Sequence, residues 1–95
     1  MEKKRFYVST PIYYPSANLH IGHTLTTTMA DTITRYKGMM GYDAYFLTGS
    51  DEHGQKIQQA AADAGLTPLA YTDRIVAGFK ALWEKLHIDY SQFIR

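Results

Sequence analysis

The spacing of apolar residues changes several times along this chain, and each change marks an element. Phe6 to Thr10 form a short run that predicts a strand, halted by Pro11 and Pro15, which have no N–H to give to a ladder. Pro11 to Leu19 then reads as a structured loop, rich in Pro, Ser, Ala, Asn and Tyr. From Ile21 the period lengthens. Leu25, Met29, Ile33 and Tyr36 recur at three- and four-residue steps, while Asp31 sits four before Arg35 on another face. A helix follows, stopped by Gly38 or Gly41; its many threonines are poor helix formers, so tertiary packing must hold it. Ala44 to Thr48 is apolar without alternation, the signature of a parallel strand covered on both faces. Gly49-Ser50-Asp51 turns the chain into a second helix, with Ile57, Ala60, Ala61 and Ala64 on one side and Gly65 at its end. Thr67-Pro68 supplies an N-cap and a first-turn proline for a third helix, whose stripe is Ile75, Val76, Phe79, Leu82, Trp83 and Leu86. His87 to Arg95 predicts no clear element, and the chain shows no internal repeat, low-complexity tract or linker.

Strand, helix, strand, helix, helix is the order of a βαβ unit with a right-handed crossover. Both strands then run the same way, so the loops 11–19 and 49–53 leave the sheet at one carboxyl edge. In open α/β folds that edge is where ligands bind.

Composition narrows the picture. Ninety-five residues suffice for one compact domain, and 45% hydrophobic with 20% charged residues is ordinary for a folded soluble chain. The formal charge of +1 is too even for a protein held on nucleic acid or anionic lipid by charge alone. Without cysteine there is neither a disulfide scaffold nor a thiolate zinc site in this stretch. The Lys3-Lys4-Arg5 cluster reads as a solvated terminus, because no apolar run of signal-peptide or membrane-spanning length follows it. A cytosolic chain is expected.

The chemistry gathers in the two loops. His20-Ile21-Gly22-His23 stands where the first helix begins, and histidines three apart lie on one side of a turn. Imidazole nitrogens there can donate to phosphate oxygens, with the free N–H groups of the first turn adding positive potential. Gly22 removes a side chain, so a purine could approach the backbone. The plain alternative is a pair of helix-start histidines that only cap; the strand–loop–helix setting favours phosphate binding. Asp51 could hold an ammonium group, against a plain reading as a helix cap, and Glu52 is assigned to the dipole preference of a first helical turn. Tyr13 and Tyr14 could wall an apolar pocket or simply pack. Phe79 and Trp83 belong to the core, and His87 receives no role.

Phe6-Tyr7-Val8-Ser9-Thr10-Pro11-Ile12-Tyr13-Tyr14-Pro15, leading into Asn18-Leu19-His20-Ile21-Gly22-His23, resembles the first signature region of bacterial methionyl-tRNA synthetases. Thr48-Gly49-Ser50-Asp51-Glu52-His53-Gly54 resembles the second-strand motif of that family, and the likeness continues through Gly65-Leu66-Thr67-Pro68 to the last residue. The resemblance implies the first βαβ portion of a Rossmann-type nucleotide-binding fold, an incomplete parallel sheet over residues 1–95. It implies activation of methionine by ATP and transfer to the 3′ end of tRNA(Met), with Mg²⁺ bound mainly by ATP. By family likeness His20 and His23 are catalytic and contact the ATP phosphates, and Gly22 lies beneath the adenine. Ile12, Tyr14 and Asp51 bind methionine: Ile12 through its backbone, Tyr14 over the side chain, Asp51 at the ammonium. No zinc is expected in this segment, and the tRNA-binding surface is expected mostly outside it. The family's Lys-Met-Ser-Lys-Ser loop has no match here, Lys37, Lys56, Lys80 and Lys85 each standing alone. Few strands also leave unpaired edges and uncovered apolar helix faces, so a segment of a longer enzyme is expected, inactive by itself. Three readings compete with this one. They are a small His-x-Gly-His adenylyltransferase, a metal site of His20, His23 and Asp51 or His53, and a module without chemistry of its own.

Overall fold

A computed structural model of the chain describes residues 3–14 and 19–95. The expected loop positions Pro15 to Asn18 lie outside the described residues. Strand β1 (Arg5–Ser9) leads to helix α1 (Ile21–Met39), strand β2 (Asp43–Gly49), helices α2 (Gln55–Asp63) and α3 (Pro68–Lys85), and strand β3 (Gln92–Ile94). The sheet is parallel in the order β1-β2-β3, with Tyr7 opposite Tyr45 and Thr48 opposite Phe93. The βαβ expectation holds, and β3 is an addition to it. At three residues, without an apolar run, β3 carries too little pattern to be read from the sequence.

The core lies on one face of the sheet. Phe46 of β2 is enclosed by Ala30 of α1, by Phe79 and Trp83 of α3, and by Tyr13 and Ile88. Both helices therefore cover the same face. On the other face Tyr7 and Tyr45 stack with ring centroids 6.0 Å apart and stand open to solvent, as does Ile94. The expectation of a strand covered on both faces is thus corrected: among the described residues, nothing packs on the second face.

Helix α1 departs further from its pattern. Its aliphatic stripe is outside, with Leu25 and Met29 each more than 60% exposed and Ile33 and Tyr36 also exposed. The buried residues are Thr27, Ala30 and Asp31. Small residues let the helix axis approach the strands closely, an advantage a hydrophobic count does not register. The threonines are also accommodated. Hydroxyls of Thr26, Thr27, Thr32 and Thr34 donate to carbonyls four residues back at 2.7–3.1 Å. Asp31 takes the backbone N–H of Asp89 at 2.8 Å and the Arg35 side chain at 2.9 Å, tying the approach to β3 onto α1.

All three helices end in the same way. The N–H groups of Tyr42, Leu66 and Ile88 reach back to the carbonyls of Lys37, Ala61 and Trp83. Those of Gly41, Gly65 and His87 reach Gly38, Ala62 and Glu84. This is the Schellman arrangement, which needs a left-handed residue at its hinge. Gly41 and Gly65 supply positive φ at little cost, while His87 adopts φ 57° with a side chain in place. Thr67 caps α3 by accepting from the N–H of Ala70 at 3.1 Å, as its Thr-Pro signal predicts.

Candidate functional site

The carboxyl edge of the sheet is assembled around Tyr13. Beyond β1 the chain stays in register with β2: the Thr10 N–H donates to Leu47 O, and the Tyr13 N–H to Gly49 O, both at 3.1 Å. The Asp51 N–H returns the bond to Tyr13 O at 2.9 Å. Beneath them the buried hydroxyls of Thr10 and Thr48 meet at 2.7 Å. The two loops are therefore one continuous backbone ladder past the strand ends, and Ile12, Tyr14 and Asp51 lie along it. Tyr13 itself is buried, so of the two loop tyrosines it is the packing one, while Tyr14 is half-buried. Ile12 and Asp51 are exposed.

The histidine pair is built by a capping box in imidazole. His20 occupies the N-cap of α1, and its Nδ1 accepts from the Gly22 N–H at 3.0 Å. The His23 Nδ1 reaches back to accept from the His20 N–H, also at 3.0 Å. Ser and Glu usually take these two positions. With both Nδ1 atoms acting as acceptors, a neutral ring carries its proton on Nε2, so each histidine offers an Nε2–H donor. Partial burial, then the neighbouring His20, lowers the pKa of His23 and favours that neutral form. The rings lie 4.0 Å apart between centroids, and Tyr13 meets His23 edge-on at 4.9 Å. Tyr13 is fixed in turn by a 2.7 Å hydrogen bond between its hydroxyl and that of buried Thr27. Capping and phosphate binding, set against each other on sequence, are compatible: one nitrogen caps and the other remains.

Gly22 has a reason of its own in this geometry. A Cβ there would stand 2.7 Å from His20 Cε1, so the ring of His20 fills the space a side chain would need.

The acidic loop corrects the expectation for Glu52 and removes the plain alternative for Asp51. Helix α2 is capped by Gly54 with no side-chain bond, so Asp51 is not a helix cap and Glu52 precedes the first turn. Glu52 instead accepts the Ser50 hydroxyl at 2.7 Å and both Nε and Nη2 of Arg95, at 2.8 and 2.6 Å. The Arg95 guanidinium, with help from Ser50, outweighs partial burial and holds the Glu52 carboxyl down from 4.5 to about 2. The ion pairs of the described residues employ Asp31, Glu52 and Asp73, leaving Asp51 outside them. At Gly54, φ is 134° and a Cβ would meet the Tyr14 hydroxyl at 2.5 Å, so this glycine admits Tyr14 against the second loop.

Sequence reasoning missed Thr27 and Arg95. Thr27 lies four residues from His23, a helical spacing that could have suggested support; Arg95 gives no such signal, being 43 residues from its partner. Among the described residues no three His, Asp or Glu side chains come together as a metal would require, and the Nδ1 atoms of His20 and His23 are already engaged. The edge can present two Nε2–H donors and one exposed carboxylate, a set suited to a ligand with phosphate at one end and ammonium at the other.

Comparisons with known proteins agree with that chemistry. The family model described as tRNA synthetases class I (M) matches residues 6–95. A methionine–tRNA ligase of Clostridium acetobutylicum is 62% identical over 94 residues, 99% of this chain and 15% of the relative. One of Streptococcus pneumoniae is 58% identical over 95 residues, all of this chain and 14% of the relative. The chain thus spans only about one seventh of the length of the curated relatives it matches. Among solved structures, the Mycobacterium tuberculosis methionyl-tRNA synthetase in complex with methionyl-adenylate aligns with a TM-score of 0.92 and 44% identity, covering 97% of this chain and 18% of that one. A ternary LeuRS–tRNA–LeuAMS complex from Agrobacterium radiobacter aligns with a TM-score of 0.88 and 30% identity, over 99% of this chain and 12% of that one.

Proposed function

Because the chain belongs to the tRNA synthetases class I (M) family, we propose that it forms the first half-site of a methionine–tRNA ligase, residues 1–95 being the opening part of its Rossmann-type catalytic domain. The observation that carries this reading is the convergence on Tyr13, whose ring braces His23 and whose carbonyl holds the Asp51 N–H. The 44% identical synthetase with methionyl-adenylate supports the ligand assignment.

In this reading a methionine carboxylate oxygen attacks the α-phosphorus of ATP and pyrophosphate leaves. Negative charge grows on the phosphate oxygens, where the Nε2–H groups of His20 and His23 strengthen their hydrogen bonds. Stabilisation of this kind, with the reactants held in place, accounts for most of the rate in such transfers. Gly22 lies beneath the adenine, Asp51 pairs with the ammonium, the Ile12 backbone contacts the amino acid, and Tyr14 closes over its side chain. Mg²⁺ would come bound to the nucleotide and supply charge neutralisation at its phosphates, and no zinc is assigned to this segment. The activated methionyl group then passes to tRNA(Met) in the cytoplasm, with most tRNA contacts made by other parts of the enzyme. No described helix is long and apolar enough to cross a membrane.

The full-length ligase provides the test. His20→Ala and His23→Ala should each lower turnover in methionine-dependent ATP–pyrophosphate exchange by about 10²–10³-fold with little change in methionine KM. Asp51→Ala should raise methionine KM. Unchanged turnover in both histidine variants would sink the role given to them. The 95-residue chain alone should show no exchange.

A further inference from the structure

Asp51 is exposed and is held through its backbone, so something else must fix the direction in which its carboxylate points. The turn that carries it has little intrinsic rigidity. Gly54 enters α2 at φ 134° without a side-chain cap, and Asp51 to Gly54 belong to neither strand nor helix. The side chain that anchors this turn to the rest of the fold is Glu52. Its two oxygens are gripped by Nε and Nη2 of Arg95 as a fork, and one also takes the Ser50 hydroxyl. Asp73 of α3 holds Arg95 Nη2 from the other side at 2.6 Å. The Ser50 N–H donates to Ile94 O at 3.0 Å, so backbone and side chain of β3's end both grip the turn, one residue to either side of Asp51.

We infer that Glu52 is the positioning residue of the amino-acid subsite: clamped by Arg95, it sets the turn on which Asp51 meets the substrate ammonium. The inference rests on the reading of Asp51 given above and extends it. Glu52 does not bind the ammonium itself, since both its oxygens are engaged. Arg95, which it shares with Asp73, offsets part of its charge, so Asp51 is the carboxylate outside these ion pairs and open to a positively charged ligand. The depressed Glu52 pKa agrees, because the carboxylate is kept ionised and bound wherever the enzyme works. Stability alone is a poor account of the clamp. The Glu52 side chain is only 11% exposed, whereas Arg95 and Asp73 are 37% and 53% exposed, and half-exposed ion pairs contribute little. What a two-pronged guanidinium–carboxylate contact adds is geometry.

The experiment is pyrophosphate exchange by the full-length ligase with Glu52→Gln, which keeps shape and loses the charge. Methionine KM should rise about 10-fold while ATP KM and kcat stay within about twofold, since a small misplacement of a binding group is costly. Arg95→Lys, which keeps charge and loses the fork, should raise methionine KM about threefold. It decides the matter if Glu52→Gln does not fold. Asp51→Asn separates the two claims. If it leaves methionine KM unchanged, the reading of Asp51 fails whatever Glu52 does. If it raises methionine KM while Glu52→Gln and Arg95→Lys do not, the positioning role is overturned. A fall in melting temperature with both KM values and kcat unaltered would likewise reduce the clamp to scaffolding and overturn it.

Discussion

The histidine loop holds its imidazoles with bonds that span two or three residues, whereas the acidic loop depends on Arg95, 43 residues from Glu52. The first arrangement forms wherever α1 forms. The second requires α3 and β3 to be in place. A group that must present a fixed N–H can be aimed by its own helix turn, because the capping box fixes ring and tautomer together. A carboxylate on a glycine-bearing turn has no such local device and is aimed through the fold.

The same substitution made on each side brings out the difference most strongly. Gly49→Ala would drive a Cβ into the backbone carbonyl oxygen of Ile94, a collision with main chain that neither strand can avoid. It should cost roughly 2–3 kcal/mol of stability, measured by denaturant unfolding, and weaken methionine binding with it. Gly22→Ala meets only the side chain of His20, at 2.7 Å from Cε1 and 3.0 Å from the capping Nδ1. Alanine also suits a helix better by about 1 kcal/mol, so stability should hold while turnover falls at least about 10-fold as the ring swings away. Equal stability losses at both positions would erase the contrast.

A smaller effect comes from pH. Glu52 titrates near 4.5 when unfolded and about 2 when folded, so its contribution is complete above pH 4.5 and is lost as the pH falls toward 2. Solvent screening of the partly exposed Arg95 reduces this contribution to about 1 kcal/mol. The melting temperature should drop between pH 5 and pH 3, and less so in Glu52→Gln; an identical drop in both would assign the effect to other carboxylates. The smallest effect lies far from either loop. His87→Gly relieves a left-handed residue bearing a side chain and should stabilise the chain by about 0.5–1 kcal/mol in thermal unfolding.

Which features could be read from the sequence follows the same division between local and distant contacts. The cap at Thr67, the stops at Gly41 and Gly65, and the Phe79–Trp83 stripe all depend on neighbours within five residues, and all are legible, whereas capping at His20 stands on sequence only as the alternative to phosphate binding. The burial of α1 is not legible, because its inward face is chosen by close approach through Thr27 and Ala30 rather than by hydrophobicity. Glu52 reads on sequence as a first-turn acid, since nothing in Gly49 to Gly54 points to Arg95. His87 hid because its left-handed role is normally announced by glycine. The two loops and their shared edge are legible in the sequence; what holds the candidate residues Ile12, Tyr14, His20, Gly22, His23 and Asp51 there is not.

The length of that one long contact has a consequence for how the chain is made. Synthesis proceeds at about 5–20 residues per second, so Arg95 follows Glu52 by roughly two to nine seconds. During that interval the N-cap of α1 can already close, because its bonds lie wholly within residues 20–23. The histidine half of the candidate site is therefore ready early in translation. Its acidic half waits for the ribosome to deliver a single arginine.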